Sequence, residues 1–368
     1  MTSRDHFTHE IESASEAIQH RLDPRTKLSS GGERYRGMSM LEICREHLAL
    51  RGINTRGMDR MSLATTALQT RSGLGTSDLA NVLMNVARKR LRQSYEENPG
   101  SFRRWARQAP NVPDFKQVSV AQLSAMPDLL QVNEHGEFKY GALYDTAEKY
   151  NLLTYGRLLS ISRQAIVNDD LRAFDRVVTG FGAAAARLEN RTVYAQLTAN
   201  GNTSDGNPLF SAAHSNNGTG AGSALQFSAL TAMRAAMRGQ KGMQTEELNL
   251  APAYLIVPAS LEQSAYQLTS AQYTPAKATD INEFRGGGRT SLEPVVEPIL
   301  DTGSPATWYA ACAAAQCDTV EYAYLDGAEG PVVETQQGFE VDGVTFKCRL
   351  DFAAKAIDWR GLYRAVGS

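Results

Sequence analysis

The sequence is poor in cysteine, has no long apolar run, and carries none of the short signatures that mark a catalytic centre. Each absence excludes something. Cys44, Cys312, Cys317 and Cys348 form no CxxC, and no histidine stands at metal-ligand spacing from them. Zinc and a disulfide framework are therefore set aside in favour of reduced thiols in small apolar positions, which fits folding in a cytosol. No stretch approaches the ~18 apolar residues of a membrane span. The N-terminus, MTSRDHFTHEIESASEAIQHRLDP, has no apolar core of a secretory signal. The triplet Gly286–Gly288 lacks the following Lys-Ser/Thr of a phosphate loop and reads as a flexible loop. Neither G-x-S-x-G nor HExxH occurs. His6, His9, His20, His47, His135 and His214 have no partner at catalytic spacing and are expected in surface or turn positions. Asp351 and Asp358, near Arg349 and Arg360, are the one acid–base arrangement in the chain, and cross-strand charge pairing accounts for them more simply. No cofactor or metal is expected. For a chain of 368 residues, long enough for two or three domains, so empty a search points to an architectural role rather than an enzyme.

What the sequence does have is an uneven charge. Residues 1–116 hold 19 Lys+Arg against 13 Asp+Glu, and residues 117–368 hold 19 against 27. The densest basic stretch is ARKRLRQSYEENPGSFRRWARQ, 87–108, with seven basic residues. Such a stretch could hold nucleic acid. Phe102 and Trp105 look like helix-face packing rather than stacking platforms, so a solvated helix face or a basic surface docked on an acidic neighbour is the preferred reading.

Residues 1–36 read as a flexible arm with one weak helix, broken at Ser29, Ser30, Gly31 and Gly32. Helices follow over 38–50, 59–69 and about 78–95, the last with Leu79, Val82, Leu83, Val86 and Leu91 inward. From Phe115 the period becomes two, and a long two-stranded excursion runs out and back to Ser162 with little apolar surface at its outer end. An isolated hairpin is marginal in water, so this one has to lie on something else. Residues 152–161 read as its last strand. A helix of about thirty residues then starts near Asn168 or Asp169, with Leu171, Phe174, Val178, Phe181, Ala185, Leu188, Thr192 and Ala195 on one stripe. Gly180, Gly182 and the alanines 183–186 thin its middle and permit close approach of another backbone. The segment ANGNTSDGNPLFSAAHSNNGTGAGSA, 199–224, reads as an inter-domain excursion or disordered lobe. Alternating strands and helices without a βαβ rhythm follow, and Asp342-Gly343 marks a hairpin. The class is α+β.

This order of elements resembles the major capsid protein fold of tailed phages, the Hong Kong-type or Johnson fold. The stretches PDLLQVNEHGEFKYG, YNLLTYGRLLSISRQAIVNDDLRAF, NGNTSDGNPLFSAAHSN, YLIVP, VEYAYLDGAEGPVVETQQGFEVDG and AKAIDWRGLY are similar to those of the Mu-type major head subunit family, over about 330 residues. No protease domain precedes them, so either a separate gene product or a processed form is expected, and Met1 favours the former. The resemblance implies an N-terminal arm and helical region over 1–114 and an E-loop with flanking strands over 115–167. It also implies a P-domain spine helix and Gly/Asn-rich insertion over 168–224, an A-domain over 225–330, and closing P-domain strands over 331–368. The strand that runs into the long helix is then the return limb of an E-loop feeding a spine.

The function implied is a structural subunit that self-assembles into hexamers and pentamers of an icosahedral shell around double-stranded DNA. A gene-transfer particle or protein nanocompartment built on the same fold is the alternative, and a soluble hydrolase using Asp351/Asp358 a distant one. The expected partners are other copies of the chain, a scaffold, a prohead protease, a portal and decoration proteins, with weak nonspecific contact to packaged DNA and no membrane. The place implied is the virion capsid, and the host cytoplasm during assembly. Glu134, Glu137, Lys139, Glu148, Lys149 and Arg157 are the subunit-interface candidates. Leu171, Phe174, Val178, Phe181 and Leu188 are the spine-helix core candidates. Lys139 and Lys149 could donate to a covalent crosslink, but no crosslinking site is matched and none is expected.

Overall fold

The computed structural model describes residues 3–69, 78–123, 145–243, 245–270, 284, 287, 291–337 and 343–367. In chain order the helices and strands are α1 Ser3–Leu22, α2 Ser30–Arg34, α3 Met40–Leu50, α4 Arg60–Gln69, α5 Asp78–Glu96, β1 Arg107–Gln108, β2 Val118–Leu123, β3 Asp145–Tyr150, β4 Leu153–Ser162, α6 Arg163–Val167, α7 Leu171–Ala199 and β5 Asn217–Gly218. The remainder are α8 Phe227–Arg238, β6 Pro252–Val257, α9 Glu262–Thr269, β7 Glu293–Val296, β8 Trp308–Cys312, β9 Val320–Tyr324, β10 Val332–Gln337, β11 Gly343–Ala356 and β12 Leu362–Ala365. No helix among the described residues is long and apolar enough to cross a membrane. The mixture of helix and sheet without alternation is an α+β fold.

The chain divides into two compact units. Unit one comprises Met1–Pro99, Thr154–Arg187 and Ala328–Asp351, and unit two comprises Gly100–Leu153, Leu188–Gly327 and Phe352–Ser368. Both α7 and β11 begin in unit one and end in unit two.

Unit one is a helical layer on a small sheet. Its core joins Ile18 of α1, Ile43 and Leu48 of α3, Leu63 of α4, and Leu83 and Val86 of α5 to Ile166, Phe174, Val178, Val333 and Phe346. The N-terminal residues are part of this core, which corrects the reading of 1–36 as a loose arm. Ser29 caps α2, accepting from the Gly32 amide, and Glu16 of α1 accepts from the Ser29 amide at 3.1 Å. Gly31 and Gly32 do not break the chain. They admit α1, because a Cβ on Gly31 would lie 2.4 Å from Ser13 Oγ. α3 begins with a full capping box, Ser39 to Glu42 and back. β10 and β11 pair antiparallel, Val332 opposite Arg349, and the Asp342 turn lies outside the described residues. β4 pairs with β11 as well.

Unit two contains the sheet β5-β12-β8-β6-β7. β8 lies between β12 and β6, antiparallel to both, and β7 runs parallel to β6. Trp308, Leu255 and Val257 pack with Leu230, Met233 and Met237 of α8. The last strand therefore closes this sheet, and 331–368 does not form one block: β10 lies wholly in unit one, whereas β12 lies in unit two. β9 pairs with the unit-two end of β11, Tyr324 opposite Phe352.

The segment 199–224 is folded, contrary to its reading as a disordered lobe. Leu209, Phe210 and Asn216 are buried, and His214 is 2% exposed with its ring stacked on Trp359 at 4.0 Å. His214 Nε2 lies 2.7 Å from Asp205 and Nδ1 lies 3.1 Å from the Leu209 carbonyl. Its expected surface position is thereby corrected. His47 is buried as well.

Candidate functional site

The excursion is described at its base. β2 and β3 pair antiparallel in register, from Val118 opposite Tyr150 to Leu123 opposite Asp145. The chain between them, which carries Glu134, Glu137 and Lys139, lies outside the described residues. The base is anchored by apolar side chains, whereas the expectation of little apolar surface concerned the outer end. Tyr150 and Leu152 join Ala109, Val112, Ala323, Ala353 and Ile357 in a small apolar cluster, with Val118 and Val120 at its edge. Tyr150 donates its hydroxyl to Glu321 at 2.8 Å in a buried pair. Burial pushes the Glu321 carboxyl above the usual carboxylate range, and the Tyr150 bond draws it only partly back.

Glu148 corrects its reading as an interface residue. It is 4% exposed and is occupied within its own chain, accepting from the Ser204 amide and lying 3.5 Å from Lys355 Nζ. Lys149, beside it on the opposite face of β3, is exposed, and so is Arg157 on β4. Alternation along a strand sends neighbouring residues to opposite faces, which the pairing of Glu148 with Lys149 as one surface overlooked. Leu158, next to Arg157, is 69% exposed.

The junction of strand and helix is built differently from its reading. β4 passes into the short helix α6, capped by Ser162, before α7 starts at Leu171. Asp169 lies between the two helices with φ +55°, in the left-handed region that costs most non-glycine residues and that Asp tolerates. Its carboxylate accepts from the Met40 amide and from Arg21 Nη1, both at 3.1 Å, and Arg21 Nη2 pairs with its second oxygen. The strained residue is thus held by α1 and by the first residue of α3. Asp170 makes the cap itself, accepting from the Ala173 amide at 3.1 Å.

Along α7, Leu171, Phe174 and Val178 are 3%, 6% and 3% exposed. Phe174 meets Phe346 of β11 with ring centroids 5.5 Å apart. Phe181 and Leu188 are only partly buried, and Phe181 still packs against the unit-one core. The buried positions beyond Val178 are Gly182, Ala185, Ala186, Glu189, Val193, Tyr194 and Leu197, of which Ala185 lies on the expected stripe. A Cβ on Gly182 would lie 2.7 Å from the Leu91 carbonyl of α5, so the close approach is real at that residue. At Gly180 nothing lies within 4 Å. Arg90 of α5 holds Asp175 of α7 with two hydrogen bonds, at 2.6 and 2.9 Å.

The basic stretch 87–108 is occupied by the protein itself. Arg90 pairs with Asp175, Arg92 with Glu96, Arg103 with Glu189, Arg104 with Glu293 and Arg107 with Asp318. Arg88 donates to the Val333 carbonyl. Phe102 and Trp105 are fully buried. This is a basic segment docked on acidic neighbours.

Asp351 and Asp358 are engaged separately. Asp351, 3% exposed, accepts from Thr154 at 2.6 Å, and Asp358 accepts from its own Arg360 amide at 2.9 Å. Arg349 lies 3.3 Å from Asp351 on its own strand and 3.6 Å from Glu334 on β10, and Arg360 lies 3.2 Å from Asp358, so the charges pair mainly along the chain rather than across strands. No cluster of potential metal ligands occurs among the described residues.

A family profile described as phage capsid protein matches residues 145–365, more than half of the chain. Among solved structures, the virus-like particle of Pyrococcus furiosus is 11% identical, with 76% of this chain and 97% of that chain covered and a TM-score of 0.46. Mycobacterium phage Che8 is 17% identical, covering 69% and 86%, with a TM-score of 0.43. The procapsid of bacteriophage JBD30 is 12% identical, covering 78% and 75%, with a TM-score of 0.41. No curated protein matches the chain.

Proposed function

The chain belongs to the phage capsid protein family, and from that membership we propose that it is the major head subunit of a tailed phage, forming hexamers and pentamers of an icosahedral shell around double-stranded DNA. One observation carries the reading. The family match begins at the first residue of β3 and ends at the last residue of β12. It therefore takes in the return limb of the excursion, the junction at Asp169, all of α7 and the closing strands as one inherited unit.

In this reading β2 and β3 are the stem of an E-loop and α7 is the spine helix. The sheet β5-β12-β8-β6-β7 with α8 and α9 is the A-domain, and the resemblance of the stretches quoted above supports a subunit of the Mu-type group. The subunit is structural, needs no cofactor, and takes its place in the virion after assembly in the host cytoplasm with a scaffold, a protease, a portal and decoration proteins. Contact with DNA is weak and nonspecific, a view supported by the internal pairing of the basic stretch. Lys149 and Arg157, exposed on β3 and β4, are the interface residues of this proposal, with Glu134, Glu137 and Lys139 on the outer loop.

The test is assembly. The purified chain, alone and co-expressed with its neighbouring head genes, should give closed shells in negative stain and a large species in light scattering. Lys149→Glu and Arg157→Glu should lower particle yield while leaving the melting temperature of the soluble subunit unchanged. A chain that stays a compact monomer under every assembly condition would sink the proposal.

A further inference from the structure

The four cysteines were read as reduced thiols in small apolar positions, and the fold brings two of them together. Cys312 is the last residue of β8 and is fully buried. Its amide donates to the Gly361 carbonyl at 2.9 Å, which fixes the end of the strand beside the entry to β12. The chain then turns. The Ala313 carbonyl accepts from the Gln316 amide at 2.8 Å and the Cys317 amide at 3.3 Å, so residue 317 folds back over the strand end. The Cys312 thiol donates to the Cys317 carbonyl at 3.7 Å, and the two thiols are within interaction range of each other.

Gly361 shows how tightly the pair is enclosed. A Cβ there would lie 2.5 Å from Cys312 Sγ and 3.2 Å from Cys317 Cβ, so both cysteines border the same small space. Cys317 is half-buried and Cys312 is not exposed at all. Cys317 is thus the less enclosed of the two.

We propose that Cys312 and Cys317 are a redox pair that closes to an intrachain disulfide when the chain meets a small-molecule disulfide. The Cys317 thiolate attacks one sulfur of the oxidant. The oxidant's S–S bond breaks, and one thiolate leaves and takes up a proton. The Cys312 thiol then loses its proton and attacks the Cys317 sulfur. The new S–S bond forms as the second thiol of the oxidant departs. Two protein thiols have given up two electrons and two protons, and one small disulfide has become two thiols.

The Cys317 thiol is pushed far up, first by its hydrogen bond with Cys312 and then by burial and the nearby Asp358 carboxylate. Two consequences follow. The thiolate fraction is small, so closure is slow in a reducing medium. A basic thiolate is also a poor leaving group, so the closed form resists reversal. Cys44 and Cys348 are internal controls, both buried, with burial pushing their thiols up to about 12 and about 11. The inference stands apart from the shell reading, since it needs only the isolated chain.

The full-length protein is incubated natively with excess oxidised glutathione, quenched in acid, denatured, alkylated and weighed intact. Alkylatable thiols should fall from four to two, with no glutathione retained, and a reductant should restore all four. The variant Cys317→Ser should close no intrachain bond. The variant Cys312→Ser, where it folds, should trap glutathione on Cys317. Wild-type protein that keeps four free thiols overturns the proposal. So does protein that retains glutathione without closing, or that closes through Cys44 or Cys348. Wild type and Cys317→Ser, altered only at the partly exposed position, decide the matter even where Cys312→Ser does not fold.

Discussion

The two halves of α7 both bury apolar side chains but differ in the polar contacts around them. From Leu171 to Arg187, in unit one, the helix presents Leu171, Phe174 and Val178 to an apolar core, and Gly182 lets α5 close on it. From Leu188 to Ala199, in unit two, it buries Val193, Tyr194 and Leu197 and adds a set of hydrogen bonds. Asn190 donates to Glu297 at 2.6 Å, and Ser101 donates to the same carboxylate. Tyr194 shares its hydroxyl with Ser101 at 2.9 Å and accepts from Trp105 Nε1 at 3.2 Å, and Arg103 reaches the buried Glu189. Apolar burial stabilises without direction. A buried polar network fixes one rotation of the helix, because each group left without its partner costs about 1–3 kcal/mol. Both halves therefore gain stability from apolar burial, and in the second half the network also sets the angle of the helix in its unit.

The largest effect that can break this contrast is Phe174→Ala. Losing a buried Phe costs about 3–5 kcal/mol, against about 5–15 for a whole domain. Phe181→Ala, at a partly buried position, should cost less than half as much. All three tryptophans, Trp105, Trp308 and Trp359, lie in unit two. In urea, Phe174→Ala should pull loss of helical circular dichroism to lower denaturant than the change in tryptophan fluorescence. Equal effects from the two Phe variants would show that the apolar stripe does not bear on unit one as argued.

Next in size is Tyr194→Phe. It strips the hydroxyl from between Ser101 and Trp105, and should move the tryptophan transition by about 1–3 kcal/mol. Combined with Ser101→Ala, it should be non-additive by about 0.5 kcal/mol or more. Strict additivity would mean that the network is a set of independent bonds and does not set the helix angle.

The line of Phe174, Phe181 and Leu188 also shows where the sequence could and could not be read. Those residues recur every seven positions, and a straight helix drifts by about 20° per heptad from such a repeat. By Phe181 the apolar stripe is at the edge of the core, and the buried line passes beside it through Gly182 and then Glu189. Periodicity found the helix, its length and its first three buried residues. It could not point to a buried glutamate, because the Arg103 that partners it is far away in sequence. Asp169 was hidden for the same reason: only the fold brings Arg21 and Met40 to it. The strands at the excursion's base and the α+β class were legible from alternation. The insertion of β12 beside β8 was not, since strand order follows long-range pairing that no local pattern encodes. Gly31 and Gly32 read as breakers because close packing and chain reversal ask for the same residue.

The contrast extends to pH. Glu321, under the excursion in unit two, is buried and pushed up. A carboxyl raised on folding binds its proton more tightly folded than unfolded. Its contribution is full below the ordinary carboxylate pKa and is lost as pH rises through the higher folded value. Glu321→Gln keeps an acceptor for Tyr150 and carries no charge, so its melting temperature should gain on the parent as pH is raised from 4 to 7. Asp205 should behave in the opposite sense. Burial raises its carboxyl, but Thr203, His214 and Asn207 outweigh that and hold it well below the usual range. Its contribution is present at neutral pH and is lost as pH falls, so Asp205→Asn should be closest to the parent in acid. If both variants run parallel to the parent across the range, neither carboxyl is perturbed by its surroundings.

The smallest effect concerns the basic stretch beside the second half of the helix. Arg104 pairs with Glu293 at 3.3 Å, with both side chains more than half exposed. Exposed pairs of this kind contribute about 0–1 kcal/mol, so Arg104→Ala should barely shift the tryptophan transition. Its effect on DNA is the sharper question. Each phosphate neutralised by a free cation steepens the salt dependence of binding by close to one counterion per contact. An arginine already facing a carboxylate must break that pair before it can do so. Arg104→Ala should therefore leave both the retention of the subunit on double-stranded DNA and its salt slope unchanged. Glu293→Gln, which releases the arginine, should raise retention at low salt. If Arg104→Ala lowers the slope by about one, the arginine leaves Glu293 for phosphate, and the docked reading of residues 87–108 fails where it is most exposed.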